Sequence, residues 1–488
     1  MDFSIEVPAE ANPLTTQTLH HILQSASSND PQQLKTAAQQ LQNWERSPGF
    51  YSSLQTLYID YSLPVELRHL AILQLKNGID KYWRKTALNA INKAEKNLIR
   101  SRSLESGISE PEHRLALQSS ITIAKIVRYE FPHDWPDAIS SVMAKLRSTS
   151  RTPDPTQISR TLLILLHIIK ELSTAKLQRS RASLQSAAPE IIKHLSTLYI
   201  DKVNTWLSFL KHGGDDEGGA LESVDQSLLA LRVLRRLIVA GYEFPNRHED
   251  IRSIWGILAS HFGEMLGLVQ EQSAAMHINP RSLIEKHLVQ IAKLHLDMVK
   301  THPAGYVLLP DSVGLATAYW GLARRFGEDM GSRTTESRSV DDEETGSTLE
   351  QLSLTGLLLI RACLKMVYNP AQTFKYQQAE DKEEKRMAKE LMRTALLSGE
   401  FAQEVMETLV TRFFVITPRD LYQWDDDPEE WEKSQEDSGD DWELNLRTCS
   451  EKLFLDLMIN YKELLVQPLI NVFLTIAGTR SHLPTLTR

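Results

Sequence analysis

Apolar side chains return at helical spacing from one end of this chain to the other, and no stretch sustains the alternation that a β-strand needs. Leu67, Ala71, Leu75, Ile79 and Tyr82 form one stripe, with steps of three and four residues, as one face of an α-helix requires. Pro64 suits the first helical position, where its missing N–H has no partner to lose. Leu117, Ile121, Ala124, Val127 and Phe131 form a second stripe. It is launched from Ser109-Glu110-Pro111-Glu112, a predicted capping box. Ile158, Leu162, Leu165, Ile169 and Leu172 make a third. Leu228, Leu231, Leu234 and Ile238 make a fourth, closed by Gly241 as a C′ residue. The fold class is all-α.

The predicted helices come in pairs, at roughly 14–26 with 31–47, 49–62 with 64–85, 86–104 with 111–130, and 135–148 with 156–174. Further pairs fall at roughly 180–211 with 221–241, 248–272 with 281–301, 311–330 with 348–368, and 381–415 with 445–477. The shorter pairs match a HEAT-type repeat of about 40–47 residues. Stacked antiparallel pairs grow as a right-handed superhelical solenoid, here of about eight or nine repeats. Such growth suits a chain of 488 residues, since a single core stops enlarging near 250–300. A compact multi-domain helical protein shares this pattern. The expected segments are 1–140, 141–330 with a Gly/Asp-rich loop at 212–219, a disordered loop at 331–347, and 348–488 with an acidic insertion at 424–443.

Two cysteines, Cys363 and Cys449, cannot build a disulfide framework and point to a reducing compartment. The apolar windows Thr161–Ile169 and Leu352–Leu359 stop at charged residues well short of a bilayer's thickness. The N-terminus has no signal-peptide core. Charge is uneven. Residues 424–443 carry eleven acids and one base, a net −10 against −9 for the whole chain, while Arg68–Arg102 carries nine bases and two acids. Such separation steers charged partners. The basic run lacks interleaved stacking aromatics, which disfavours nucleic acid.

Searches for chemistry return little. No GxxxxGK[ST], HExxH, GxSxG or CxxC occurs. His20 and His21 are neighbours on a helix and point apart. Asp425-Asp426-Asp427 resembles the opening of a calcium loop, yet Glu430 stands where such a loop needs Gly. No catalytic residue, cofactor or metal site is expected. Trp44, Trp83 and Trp135 are expected in the core.

One stretch, AQQLQNWERSPGFY (residues 38–51), resembles the start of the importin-β N-terminal domain. VELRHLAILQLKN (65–77) resembles that family's R-x-LA-x-(I/V)-x-LKN pattern, followed by Lys81 and Trp83. EKNLIR (95–100), the segment Gln118 to Arg128, and FPHDWP (131–136) continue the order. The acidic window, leading into RTCSEKL (447–453), is similar to the insertion of the large importins, most of all the importin-eleven branch.

The resemblance implies a nuclear transport receptor, a karyopherin, that shuttles between cytoplasm, nucleus and nuclear envelope. It would bind the small GTPase Ran in its GTP form on the inner helices of its N-terminal repeats. The corresponding residues here are Lys35 and Gln39, then Arg68, Gln74, Lys76, Asn77, Lys81 and Arg84, then Gln118, Ser119, Lys125 and Arg128. The acidic insertion, with Asp425, Asp426, Asp427, Glu429, Glu430, Asp440 and Asp441, would meet a basic patch of Ran. Further implied partners are protein cargo, such as basic ribosome-related or other nuclear proteins, and Phe-Gly nucleoporins, with no membrane. Family members continue well beyond residue 488, so an unpaired apolar face is expected near the end of this chain. A Ran-independent scaffold and an exportin-type receptor remain alternatives.

Overall fold

The computed structural model describes residues 13–149, 154–174, 178–213, 216–271, 280–332, 348–369, 379–414, 418–436 and 443–480. No strand occurs among them. The chain divides into two compact units, Met1–Tyr242 and Glu243–Arg488. That boundary falls inside the 141–330 stretch expected as one segment.

The first unit holds five helix pairs. They are α1 (Thr16–Ala26) with α2 (Pro31–Trp44), α3 (Phe50–Ile59) with α4 (Val65–Tyr82), and α5 (Lys93–Ile108) with α6 (His113–Glu130). Then come α7 (Ala138–Thr149) with α8 (Pro155–Ser173), and α9 (Gln178–His212) with α10 (Glu217–Ala240). Second helices stack in order, α4 on α6, α6 on α8 and α8 on α10, while α3 packs on α5 among the first helices. This is the two-layer, neighbour-to-neighbour packing of a HEAT-type array.

The stripes supply the core. Leu75, Ile79, Ala124, Val127, Leu162, Leu165, Ile169, Leu231 and Leu234 are buried, and each large one contributes about 1.5–3 kcal/mol. Tyr82, Leu117, Ile121 and Phe131 are only half-buried, and Ile123 takes the core position on α6. Trp44, Trp83 and Trp135 are buried with them, as expected. Helix starts are set by short side chains that accept from otherwise orphaned N–H groups. Asp30 caps α2, Asn92 caps α5 and Asp154 caps α8.

Some expectations are corrected. Ser109 is not the cap of α6; it ends α5, and Glu112 caps α6 by accepting from Arg114 N. The 212–219 loop is shorter than expected, because α10 begins at Glu217 with Asp216 accepting from Gly219 N. Gly241 ends α10 with a right-handed φ of −86°. Its value is space, since a Cβ there would lie 2.7 Å from that of Ala188.

The second unit opens with a 3-10 turn, Pro245–Arg247. It continues with α11 (Glu249–Glu271), α12 (Pro280–Thr301), the short α13 (Pro303–Leu308), α14 (Ser312–Ser332) and α15 (Thr348–Tyr368). Here α12, α15 and α20 (Leu446–Asn460) stack, while α11 and α14 pair with α12 and α15. By length and composition α15 could cross a membrane. Instead Leu357, Leu359, Ile360 and Leu364 are buried where it packs on α12, α14 and α20.

The run expected at 381–415 is two helices, α16 (Ala379–Ala395) and α17 (Gly399–Thr408), the latter ending in a π turn at Leu409–Phe413. Ser398 breaks the run by accepting from Phe401 N as the cap of α17. α16 is latched to the 3-10 turn, where Arg247 pairs with Glu380, Asp381 and Glu384. The run expected at 445–477 breaks at Tyr461 into α20 and α21 (Lys462–Arg480). Tyr461 donates its hydroxyl to Leu397 O, a tertiary contact that fixes the break. Between α17 and α20 lie α18 (Pro418–Asp426) and α19 (Pro428–Glu436). The loop expected at 331–347 lies outside the described residues apart from its first two, which end α14.

Candidate interaction surface

The expected contact residues lie on α2, α4, α6 and the turn after α4. Lys35 and Gln39 are exposed on α2, and Asn77, Lys81 and Arg84 are exposed on or just after α4. Gln74, Lys76, Gln118 and Lys125 are half-buried, and Arg128 is exposed. The α4 and α6 residues are brought together by the stacking of those two helices.

Polar side chains cross from each second helix to the next. Lys76 Nζ on α4 donates to Gln118 Oε1 on α6 at 2.9 Å. One turn further, Asp80 on α4 pairs with Lys125 on α6. Arg128 on α6 then pairs with Glu171 on α8 at 2.5 Å. Lys76 and Asp80 share a face of α4 because they are four residues apart, and Gln118 and Lys125 share one on α6 at a spacing of seven. The result is a polar ladder across three repeats, with Lys81 at its edge 3.5 Å from Glu45. Pairs that reach solvent in this way contribute little stability, about 1 kcal/mol each, so an incoming partner can exchange them at small cost.

Two expected contact residues belong to the fold instead. Arg68 is only 3% exposed. Its Nε donates to Tyr58 O at 2.8 Å and its Nη2 to Glu110 Oε2 at 2.5 Å. Its guanidinium also lies over the Tyr61 ring, 4.6 Å from the centroid. A buried arginine needs such partners, because taking a charge from water is costly. Arg160 on α8 secures the same turn by donating to Glu110 O and Pro111 O. Ser119 is also 3% exposed, facing Gly107 of α5, where an added Cβ would lie 3.0 Å from its hydroxyl.

The basic run around the α4–α5 turn is partly neutralised. Lys85 donates to Asp134, and that bond, with Arg100 nearby, holds the Asp134 carboxyl below its ordinary range. Lys96 lies over the Trp83 ring, and burial there lowers its ammonium from the usual lysine value. Arg84 lies over Tyr129.

In the acidic insertion Asp425, Asp426, Asp427, Glu429 and Glu430 are exposed on a hairpin formed by α18 and α19. Asp427 turns it, accepting from Glu429 N and Glu430 N. Asp440 and Asp441 lie outside the described residues. Sequence reasoning missed two features: Glu110 as the partner of Arg68, and a stacked pair of tryptophans, Trp424 and Trp431. The seven-residue spacing of those tryptophans across Pro428 was the available signal for the second.

Comparison with known proteins places these helices. A family model described as the importin-beta N-terminal domain matches residues 37–108, from α2 through α5. The importin beta-like protein KAP120 of Saccharomyces cerevisiae is 32% identical over 466 residues, 94% of this chain and 43% of that protein. Human Importin-11 is 28% identical over 460 residues, 94% of this chain and 44% of that protein. A solved structure described as Lph2, a bidirectional nuclear transport receptor of S. cerevisiae, superposes with a TM-score of 0.72 at 30% identity. That match covers 90% of this chain and 40% of the other. The exportin Cse1 in its cargo-free state shares the fold, with a TM-score of 0.60 at 15% identity. The chain spans less than half the length of these relatives. The importin-beta N-terminal domain thus falls on α2–α5, and similarity to importin-type relatives runs through both units.

Proposed function

We propose that this chain works as part of a nuclear transport receptor of importin type, binding the GTP form of Ran on α2, α4 and α6 and coupling that event to cargo release. The observation that carries this reading is positional. The family's N-terminal domain covers α2 to α5. The polar ladder starts within it on α4 and runs on to α6 and α8, and the accessible members of the expected contact set lie on or beside these helices. Lys35, Gln39, Gln74, Lys76, Asn77, Lys81, Arg84, Gln118, Lys125 and Arg128 are the proposed contacts; Arg68 and Ser119, both buried, are left out of the proposed set.

Groups of this kind set encounter rate and specificity more than affinity. Release of cargo by the GTPase is a negative coupling free energy between two sites, and such coupling is reciprocal. Protein cargo, passage along Phe-Gly nucleoporins and shuttling between cytoplasm and nucleus belong to the same proposal. A pull-down with Ran-GTP and Ran-GDP tests it. Capture of the GTP form alone is expected, and Lys76→Glu with Lys81→Glu should weaken it without loss of helicity. Equal capture of both forms, or of neither, would refute the reading.

An exportin-type receptor is the second reading. It is favoured by the 28% identity to Exportin-2 of Oreochromis niloticus over 141 residues. In that case Ran-GTP would raise cargo affinity instead of lowering it.

A further inference from the structure

The α18–α19 hairpin carries more than charge. Trp424 at the end of α18 and Trp431 in α19 stack with ring centroids 5.8 Å apart and planes 21° from parallel. Trp424 nevertheless remains 49% exposed. Leu421, one turn before it on α18, is also exposed. Around this aromatic pair stand Asp425, Asp426, Asp427, Glu429, Glu430 and Glu432, all exposed. Lys433 is the only base between residues 424 and 436, and none of the six carboxylates takes part in a salt bridge among the described residues.

An accessible indole face ringed by unneutralised carboxylates is complementary to one kind of side chain. Its cation must be flat enough to continue a stack and must carry several N–H donors in its own plane. Guanidinium meets both demands; ammonium is a compact, strongly hydrated point charge. We propose that this hairpin is an arginine-selective docking surface for a basic segment of a protein partner. The guanidinium lies on the outer face of Trp424, its alkyl stem lies over Leu421, and the neighbouring carboxylates accept its N–H groups. The inference rests on the acidic insertion being a surface for a basic partner, and it adds which side chain is selected and by what.

The test uses the whole chain and two fluorescent peptides of equal length and charge, one of alternating Arg and Gly and one of alternating Lys and Gly, followed by anisotropy. The wild-type chain should bind the arginine peptide about two- to fivefold more tightly, the increment of an exposed cation–π contact. That ratio should shrink in Trp424→Phe and vanish in Trp424→Leu. Comparing two peptides on the same variant separates loss of the indole from loosening of the hairpin, which would lower both affinities together. Asp425→Asn with Asp426→Asn should weaken both peptides and reduce the ratio, because the arginine peptide also loses acceptors for its N–H groups. Equal binding of the two peptides by the wild-type chain, or an arginine preference that survives Trp424→Leu, overturns the arginine selection but leaves the charge-based surface standing. Binding of neither peptide removes both.

Discussion

Removing the Glu110 carboxylate should damage the first unit far more than a surface substitution would. Arg68 and Glu110 side chains are 4% and 0% exposed, so Glu110→Ala leaves a guanidinium buried without its counter-charge. Breaking a buried pair from one side costs about 3–5 kcal/mol. The lost acceptance from Glu112 N adds about 1 kcal/mol. The Tyr58 carbonyl at 2.8 Å and the Tyr61 ring remain and offset about 1 kcal/mol of that loss. A net loss of about 3–5 kcal/mol is expected. Because the chain has two units, one melting curve would not isolate it. Amide hydrogen exchange in α4 and α6 is the suitable measurement, with exchange in the second unit as the internal control. The double variant Arg68→Met, Glu110→Leu should restore most of the protection, since an apolar pair avoids the desolvation cost. It should also keep the GTPase interaction. A loss below about 1 kcal/mol for Glu110→Ala would mean that Arg68 is effectively solvated, and would return it to the set of contact residues.

Other outcomes can be checked separately. His295 is fully buried and held at about 3, and burial holds His167 at about 4; both are neutral in the fold and protonate more readily when unfolded. Their contribution is therefore present above about pH 6.5 and lost as pH falls from there towards 4 and 3, by about 2 kcal/mol for His295 at pH 5 and less for His167; a melting temperature that holds level from pH 7.5 to 5 would contradict this. Gly356→Ala puts a methyl 2.8 Å from Tyr319 O, so α14 and α15 must part at a cost of about 1–3 kcal/mol, seen as faster exchange confined to the second unit. Phe473→Ser with Leu474→Ser removes two exposed apolar groups of α21; light scattering at high concentration should fall while thermal stability stays the same.

The helical stripes were legible because they are local. The positions that alternate by three and four in α8 and α10, and all but Tyr82 in α4, are the ones the fold buries, whereas on α6 Leu117 and Ile121 are half-buried and Leu115, Ile123 and Ile126 take the core. What stayed hidden depended on distant residues. Arg68 looks like any basic residue in a polar neighbourhood until Glu110, 42 residues on, comes into contact with it. The misplaced cap has a similar cause: Ser109-Glu110-Pro111-Glu112 has the letters of a capping box, but Ser109 is taken up in ending α5 and Glu112 caps α6 instead. The break at Tyr461 carries no Pro or Gly at the junction, because the hydroxyl contact to Leu397 sets it. In the candidate site, the residue types were readable, whereas their division into accessible and buried members was a property of packing.

The ladder on α4, α6 and α8 suggests how occupancy could be felt along the first unit. Lys76, Lys125 and Arg128 each join one repeat to the next. A partner that takes these side chains as its own donors must remove them from Gln118, Asp80 and Glu171. Each exchange is nearly neutral in energy, yet together they release the cross-links that hold successive second helices in register. The buried pair of Arg68 and Glu110, with Arg160 on the same turn, keeps the repeats joined while this happens. A partner would then alter spacing between repeats without unfolding any of them, as a quasi-one-dimensional stack permits. Replacing Asp80 and Glu171 by Ala should accordingly free Lys125 and Arg128 and strengthen binding of the GTPase. Weaker binding by that double variant, with helicity unchanged, would show that the two carboxylates are contacts in their own right and that the ladder does not gate the surface.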